Sequence, residues 1–294
     1  MALAAVSAAS AQEADTSSQV VGVDIFSSSD ADETNVSKVG VSFDWRRVNP
    51  EDYQGLRLES ATFKPLGQNA ENDVRLYYRF ADRRGDWTWN GQAGTDGRTL
   101  LGAFGIHNSS RFRQEYFLER EIVETPQGVS RGVYYTFAGG AFDLPIDERN
   151  NLTLLGAVQA FTGRNVRAHV RANYVRVLQD DWGLSAQLRT RFFHSSHPGE
   201  FDYFSPETFV QVVPTLQLRR RLGGWRYVVA GGLGAQRQTG SGWRQARSLG
   251  AQITSPPVRD GWALDGTFSY SNTPVGAGYT YDYRQLTLGV RRHF

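Results

Sequence analysis

The chain closes on Tyr279-Thr280-Tyr281-Asp282-Tyr283-Arg284-Gln285-Leu286-Thr287-Leu288-Gly289-Val290-Arg291-Arg292-His293-Phe294, and this stretch decides how the rest is read. Taken at period two, Leu286, Leu288, Val290 and Phe294 fall on one face. Tyr283, Gln285, Thr287, Gly289, Arg291 and His293 fall on the other. Successive side chains of a strand point to opposite sides, so this is a strand with one apolar and one polar face. It outlasts the five or six residues usual for a strand in a small sheet. At a sheet edge, such a strand would present unpaired backbone groups to other chains. Closing the sheet into a barrel removes the edge, and in a bilayer closure is obligatory, because lipid cannot hydrogen-bond an open backbone.

Upstream the same alternation recurs, interrupted by turn signals. It predicts sixteen strands at roughly 20–28, 36–47, 54–65, 72–82, 86–94, 98–108, 111–124, 130–143, 151–162, 164–178, 182–194, 207–220, 225–238, 242–255, 261–272 and 280–294. No helical period and no linker appears. The fold class is therefore all-β: a transmembrane antiparallel β-barrel of the outer-membrane type, with about sixteen strands and both termini at one end.

Composition agrees. No run of eighteen apolar residues exists, which argues against a transmembrane helix. There is no cysteine, which excludes a disulfide framework and a cysteine metal site. Net charge is only +2, but Lys38 and Lys64 are the only lysines, so nearly every basic residue is Arg. Residues 1–12 are small, and Ala9-Ser10-Ala11 has the form of a secretory cleavage site. Residues 1–19 are read as a signal remnant and arm, and 20–294 as the barrel.

The turns test the strand count independently. With both ends in the periplasm, every second connection is a short periplasmic turn. Trp87, Trp182, Trp225 and Trp262 directly follow such turns, and Trp45 precedes one. Five of the seven tryptophans thus fall at one rim, as an interfacial girdle requires. The remaining connections, including 29–35, 66–71, 195–206 and 273–279, are predicted to face outside the cell.

Alternation also sorts the interior. Arg75 and Arg79 point inward on the fourth strand, Arg113 on the seventh, Arg167, His169 and Arg171 on the tenth, Arg189 and Arg191 on the eleventh, and Arg219 on the twelfth. Glu59, Glu115, Glu119 and Glu121 point inward as well. Arg–Glu packing accounts for many such residues in any barrel. The adjacent tenth and eleventh strands, however, carry Arg167, Arg171, Arg189 and Arg191. That arrangement predicts a basic wall in a conducting lumen, favouring neutral or anionic solutes.

Two resemblances follow from these residues. The terminal strand resembles the C-terminal assembly signal of bacterial outer-membrane barrels, with Phe294 as its aromatic end; Arg292 departs from it, where an apolar residue is usual. Phe201-Asp202-Tyr203-Phe204-Ser205-Pro206-Glu207, lying before an alternating strand, resembles a segment in the barrel domain of cellulose- and exopolysaccharide-secretion outer-membrane porins. That resemblance implies sixteen strands and export or passage of a polysaccharide or other polar solute. It also implies outer-membrane lipid, the barrel-assembly machinery, a periplasmic scaffold and a glycan synthase as partners. Those porins carry a tetratricopeptide scaffold before the barrel, and no such segment precedes the first strand in this sequence.

An enzyme is the alternative, since some outer-membrane barrels are lipases, deacylases or proteases. His194-Ser195-Ser196-His197 with Glu200 and Asp202 is the one cluster that suits it. A protein-translocating barrel is a further alternative. No cofactor, metal or nucleic-acid motif is present, and the Arg residues are dispersed over strands rather than gathered into a nucleic-acid patch.

Overall fold

A computed structural model describes residues 18–30, 34–256, 261–273 and 282–294. The signal-like segment, most of the loop 273–279 and parts of 29–35 and 256–260 lie outside the described residues. The strands are β1 (Ser18–Ser29), β2 (Asn35–Asn49), β3 (Asp52–Lys64), β4 (Glu71–Arg84), β5 (Trp87–Thr95), β6 (Leu100–Asn108), β7 (Gln114–Ile122), β8 (Tyr134–Pro145), β9 (Asn150–Phe161), β10 (Val166–Gln179), β11 (Leu184–Ser195), β12 (Thr208–Leu222), β13 (Trp225–Gln238), β14 (Arg244–Thr254), β15 (Gly261–Ser271) and β16 (Tyr283–His293). Each pairs antiparallel with its neighbours in sequence, and β1 closes onto β16, with Val20 opposite His293 and Ile25 opposite Leu288. The predicted closed sixteen-stranded barrel is the fold observed.

Strand parity fixes the two faces. Val74, Leu76, Val170, Leu216, Val229 and Leu264 are exposed on the outside. Exposed apolar residues on every side of a closed sheet would be an aggregation hazard in water and are the expected surface in lipid. Short turns join the strands at the rim that carries the chain ends, as at 85–86 and 223–224. The opposite rim carries the longer connections 123–133 and 196–207. A barrel of this build spans a bacterial outer membrane with its short turns in the periplasm and its long loops at the cell surface.

The structure departs from expectation between β7 and β8. Strands were predicted over 111–124 and 130–143, but the chain turns into a short helix, α1 (Pro126–Arg131). Thr125 caps it by accepting a hydrogen bond from the Gly128 N–H, Pro126 opens it, and Gly132 ends it in the left-handed conformation at φ 64°. At the other end of β7, Arg113 lies in the turn before the strand rather than within it, although its carbonyl still accepts the Asp143 N–H at 2.8 Å.

The connection carrying α1 folds into the outer mouth. Val129 packs with Val36, Phe63, Tyr77 and Leu101, residues of β2, β3, β4 and β6. Glu124 meets Lys38 of β2 at 2.5 Å. From the other side, the connection 196–207 brings Tyr203 against Val123, Val133 and Phe161. These apolar clusters lie among inward-facing strand residues and the two loops.

Candidate functional site

The interior divides into two walls of different electrostatics. On β1–β4 the charges are paired. Arg57 meets Asp24 at 2.6 Å and Glu59 at 2.5 Å; Arg75 meets Glu59 and Glu121, each at 3.1 Å; Arg79 meets Asp44 at 3.3 Å. Asp44 also meets Arg47 at 2.7 Å, and a bulge after Asp44 turns Arg47 toward it. Arg113 meets Glu115 at 3.2 Å. Glu119 accepts the Tyr135 hydroxyl at 2.5 Å. The four acids placed inside by alternation are thus engaged on β3, on β7 and with their neighbours.

The second wall lies on β10 and β11, where Arg171 stands directly opposite Arg191 and Asn173 opposite Arg189. Among the described residues, no carboxylate forms an ion pair with Arg167, Arg171, Arg189 or Arg191. Aromatic faces and neutral acceptors take the place of acids. The Arg167 guanidinium lies 4.4 Å from the Phe193 ring centre and 5.0 Å from that of Phe161. It donates to Gln159, to the Ser195 hydroxyl and to the Phe204 carbonyl. Arg191 lies 5.4 Å from Phe193 and 5.8 Å from Phe209, and Arg189 donates to Gln187 at 2.9 Å. Among the described residues, the Nε atoms of Arg171 and Arg191 have no hydrogen-bond partner. A guanidinium is weakly hydrated and stacks on rings, so it tolerates such a setting where an ammonium would not. His169 sits between Phe137 and Phe193, with Nε2 at 3.2 Å from Gln159.

The segment that prompted the family resemblance lies beside this wall. Tyr203 stacks on Phe161, ring centres 4.2 Å apart, and receives a hydrogen bond from the Asn165 amide. Asp202 accepts from the Thr125 hydroxyl at 2.6 Å and from the Gln127 N–H at 2.7 Å, so it joins the two inward loops. Glu200 accepts the backbone N–H groups of Arg164 and Asn165, each at 2.9 Å. Alternation could not show this joint, because it depends on residues 75 or more positions apart. One local signal did exist: Thr125-Pro126 followed by Gly132 is a helix start and stop.

The remaining candidates are placed as follows. Arg219 faces inward by parity but is exposed near the periplasmic rim. Trp45, Trp182 and Trp262 are exposed, Trp87 and Trp225 partly so, and all five stand at or beside periplasmic turns; on their strands, Trp45, Trp87, Trp225 and Trp262 point outward. Phe294 ends the chain at the same rim, and its N–H donates to the Gln19 carbonyl at 3.0 Å. His194 faces outward opposite Ala168 and Thr208. The His197 ring lies 3.1 Å from the Ser196 hydroxyl and the His197 backbone N–H donates to Asn165, while Glu200 and Asp202 are held by the loop contacts above. Among the described residues, no cluster of His, Asp or Glu is placed to hold a metal.

A closed barrel with an apolar exterior and a polar, Arg-rich interior is a porin-like outer-membrane barrel. No protein-family model matches the chain, and no curated protein matches it in sequence. In fold it is similar to a solved structure described as a bacterial polysaccharide outer membrane secretin, at 13% identity and a TM-score of 0.67, covering 93% of this chain and 98% of that one. More distant similarities are to OccD3 (OpdP) of Pseudomonas aeruginosa, at 9% identity, a TM-score of 0.48 and coverage of 95% and 92%. OccAB3 of Acinetobacter baumannii gives 10% identity, a TM-score of 0.45 and coverage of 95% and 99%.

Proposed function

We propose that the barrel is a conduit across the outer membrane for a polysaccharide or other polar solute, and that it favours neutral or anionic solutes. The observation that carries this reading is the Arg167, Arg171, Arg189 and Arg191 wall, lumen-facing and without ion-pair partners among the described residues. Unpaired cations in a low-dielectric frame focus a positive potential along the path. Forked guanidinium donors suit carboxylates and hydroxyls. Polysaccharide heads the solute class because the Phe201–Glu207 segment resembles that of exopolysaccharide porins, and the structure of similar fold is described as a polysaccharide secretin. On this reading Trp45, Trp87, Trp182, Trp225 and Trp262 form the periplasmic girdle and Phe294 serves assembly. A periplasmic scaffold and a glycan synthase are the expected partners.

The test is planar-bilayer conductance under a salt gradient. Wild type is expected to pass anions in preference to cations. Replacing Arg167, Arg171, Arg189 and Arg191 together with Gln is expected to move the reversal potential toward cations. An unchanged potential in a variant that still conducts would assign the wall to packing alone.

A further inference from the structure

A cavity of about 530 Å³ opens on the side of the barrel away from the Arg wall, bordered by β1 and β3–β7. Its size falls within the roughly 300–1,000 Å³ typical of small-molecule sites. The sequence makes room for it: the inward positions at the centre of β6 are Ala103 and Gly105, whereas β3 and β4 carry Arg, Glu and Tyr at theirs. Facing these small residues from β5 are Asn90 and Gln92. Neither of their side-chain amides is engaged in a hydrogen bond among the described residues. One end of the cavity is closed by the Tyr53 ring, which lies between the guanidiniums of Arg47 and Arg79 at 4.8 and 5.0 Å. Another side is formed by the Phe117 ring, held against Phe137 at 5.1 Å.

Each charged group at the cavity wall already has a partner, an ion pair for all but Glu119. Asp24 holds Arg57, Arg79 meets Asp44, Glu115 meets Arg113, and Glu119 takes the Tyr135 hydroxyl. The side chains left wholly without a hydrogen-bond partner are neutral: two amides, each with a donor end and an acceptor end, near the Phe117 ring. Hydroxyl groups satisfy both ends of an amide, and the C–H face of a sugar ring packs on an aromatic face.

We infer that this cavity is a subsite for a neutral sugar unit, held by Asn90 and Gln92 and packed against Phe117, and that it is distinct from the Arg wall. The inference rests on the reading of the barrel as a conduit and deepens it: uncharged rings follow the β5–β7 side, and anionic substituents face β10 and β11.

The experiment measures equilibrium binding of neutral hexasaccharides, maltohexaose and cellohexaose, to full-length protein in lipid nanodiscs, with bilayer selectivity recorded in parallel. At least one of the two is expected to bind wild type. In the N90A/Q92A variant its Kd is expected to rise about tenfold, the loss of one to two net hydrogen bonds, with the reversal potential unchanged. The four-Arg-to-Gln variant is expected to do the opposite, shifting the potential and leaving that Kd alone. Anion-selective conductance with no hexasaccharide binding, or binding that N90A/Q92A leaves intact, would overturn the subsite and spare the conduit. Binding that N90A/Q92A weakens, in a barrel that passes no current, would uphold the subsite and overturn the conduit.

Discussion

Arg75 and Arg171 are the same residue type on inward positions of one barrel, and they do different work. Arg75 is fully buried and holds Glu59 and Glu121 together. Glu59 has Arg57 as a second partner, whereas Glu121 has no other ion pair among the described residues. Arg75→Ala removes the ion-pair partner of that carboxylate, and breaking a buried pair from one side costs up to about 3–5 kcal/mol. Urea unfolding from lipid vesicles is expected to show a loss of that order for Arg75→Ala and almost none for the exposed Arg219→Ala. Equal losses would mean that the pairs on β3, β4 and β7 are solvated. Alternation told which Arg residues face inward, because direction is local to each strand. It could not tell which were paired, because Arg75 and Glu121 lie 46 residues apart and meet only once the barrel closes. Arg292 shows the same limit. It breaks the apolar pattern of the last strand, yet its guanidinium lies 5.5 Å from the Trp262 ring and 5.7 Å from Phe294, at the rim where a cation can sit on an interfacial ring.

At the scale of elements, the strands were legible and the inward loops were not. Period two, punctuated by turns, returned all sixteen strands to within a few residues, since each strand carries its own signal. A six-residue helix is too short to show a period, and only its capping residues mark it. The joint between the two inward loops rests on Asp202, whose two oxygens hold Thr125 and Gln127. Asp202→Ala removes both charge-assisted hydrogen bonds, each worth about 1.5–3 kcal/mol. Limited proteolysis is expected to cut the connections 123–133 and 196–207 faster in this variant, with the strands still protected; an unchanged rate would mean that aromatic packing alone holds the loops. Glu200 adds a pH dependence. Partial burial alone would raise its pKa, but the N–H groups of Arg164 and Asn165 outweigh this and hold it below the ordinary carboxylate value. A depressed folded value stabilises the loop above the unfolded pKa, and that stabilisation is lost as pH falls through the folded one. Cleavage in 196–207 is therefore expected to accelerate with acidification below the ordinary carboxylate range, and Glu200→Gln is expected to abolish that step. Gly163 lies beneath the Glu200 carboxylate at φ 105°, where a Cβ would be strained and would meet the carboxylate oxygens. Gly163→Ala is accordingly expected to loosen the same loop at every pH.

For the whole molecule, stability depends on which solvent the outer face meets. Leu216 points outward near the middle of β12, opposite Ala186 and Gly231, and is 58% exposed. Leu222 is as exposed, at 57%, but ends the same strand at the periplasmic turn. In water the two positions would be equivalent, and an Arg at either would cost little. In a bilayer they differ by depth: a lipid-facing Arg costs about 2–4 kcal/mol at the midplane and about 0–1 kcal/mol near the interface. Depth also explains why the mixture of exteriors works, with Trp45, Trp182 and Trp262 exposed at one rim and aliphatic side chains between the rims. Leu216→Arg is therefore expected to lower the stability of the vesicle-inserted barrel by a few kcal/mol, and Leu222→Arg to leave it within about 1 kcal/mol of wild type. Both values come from urea titration of folding into vesicles, followed by tryptophan emission. A third substitution, Gln217→Arg, lies one residue from Leu216 but points into the lumen, and is expected to fold normally while strengthening anion preference. Were Gln217→Arg costly and Leu216→Arg tolerated, the inside and outside faces would be reversed by one residue along β12, and with it along every strand the closed register ties to it.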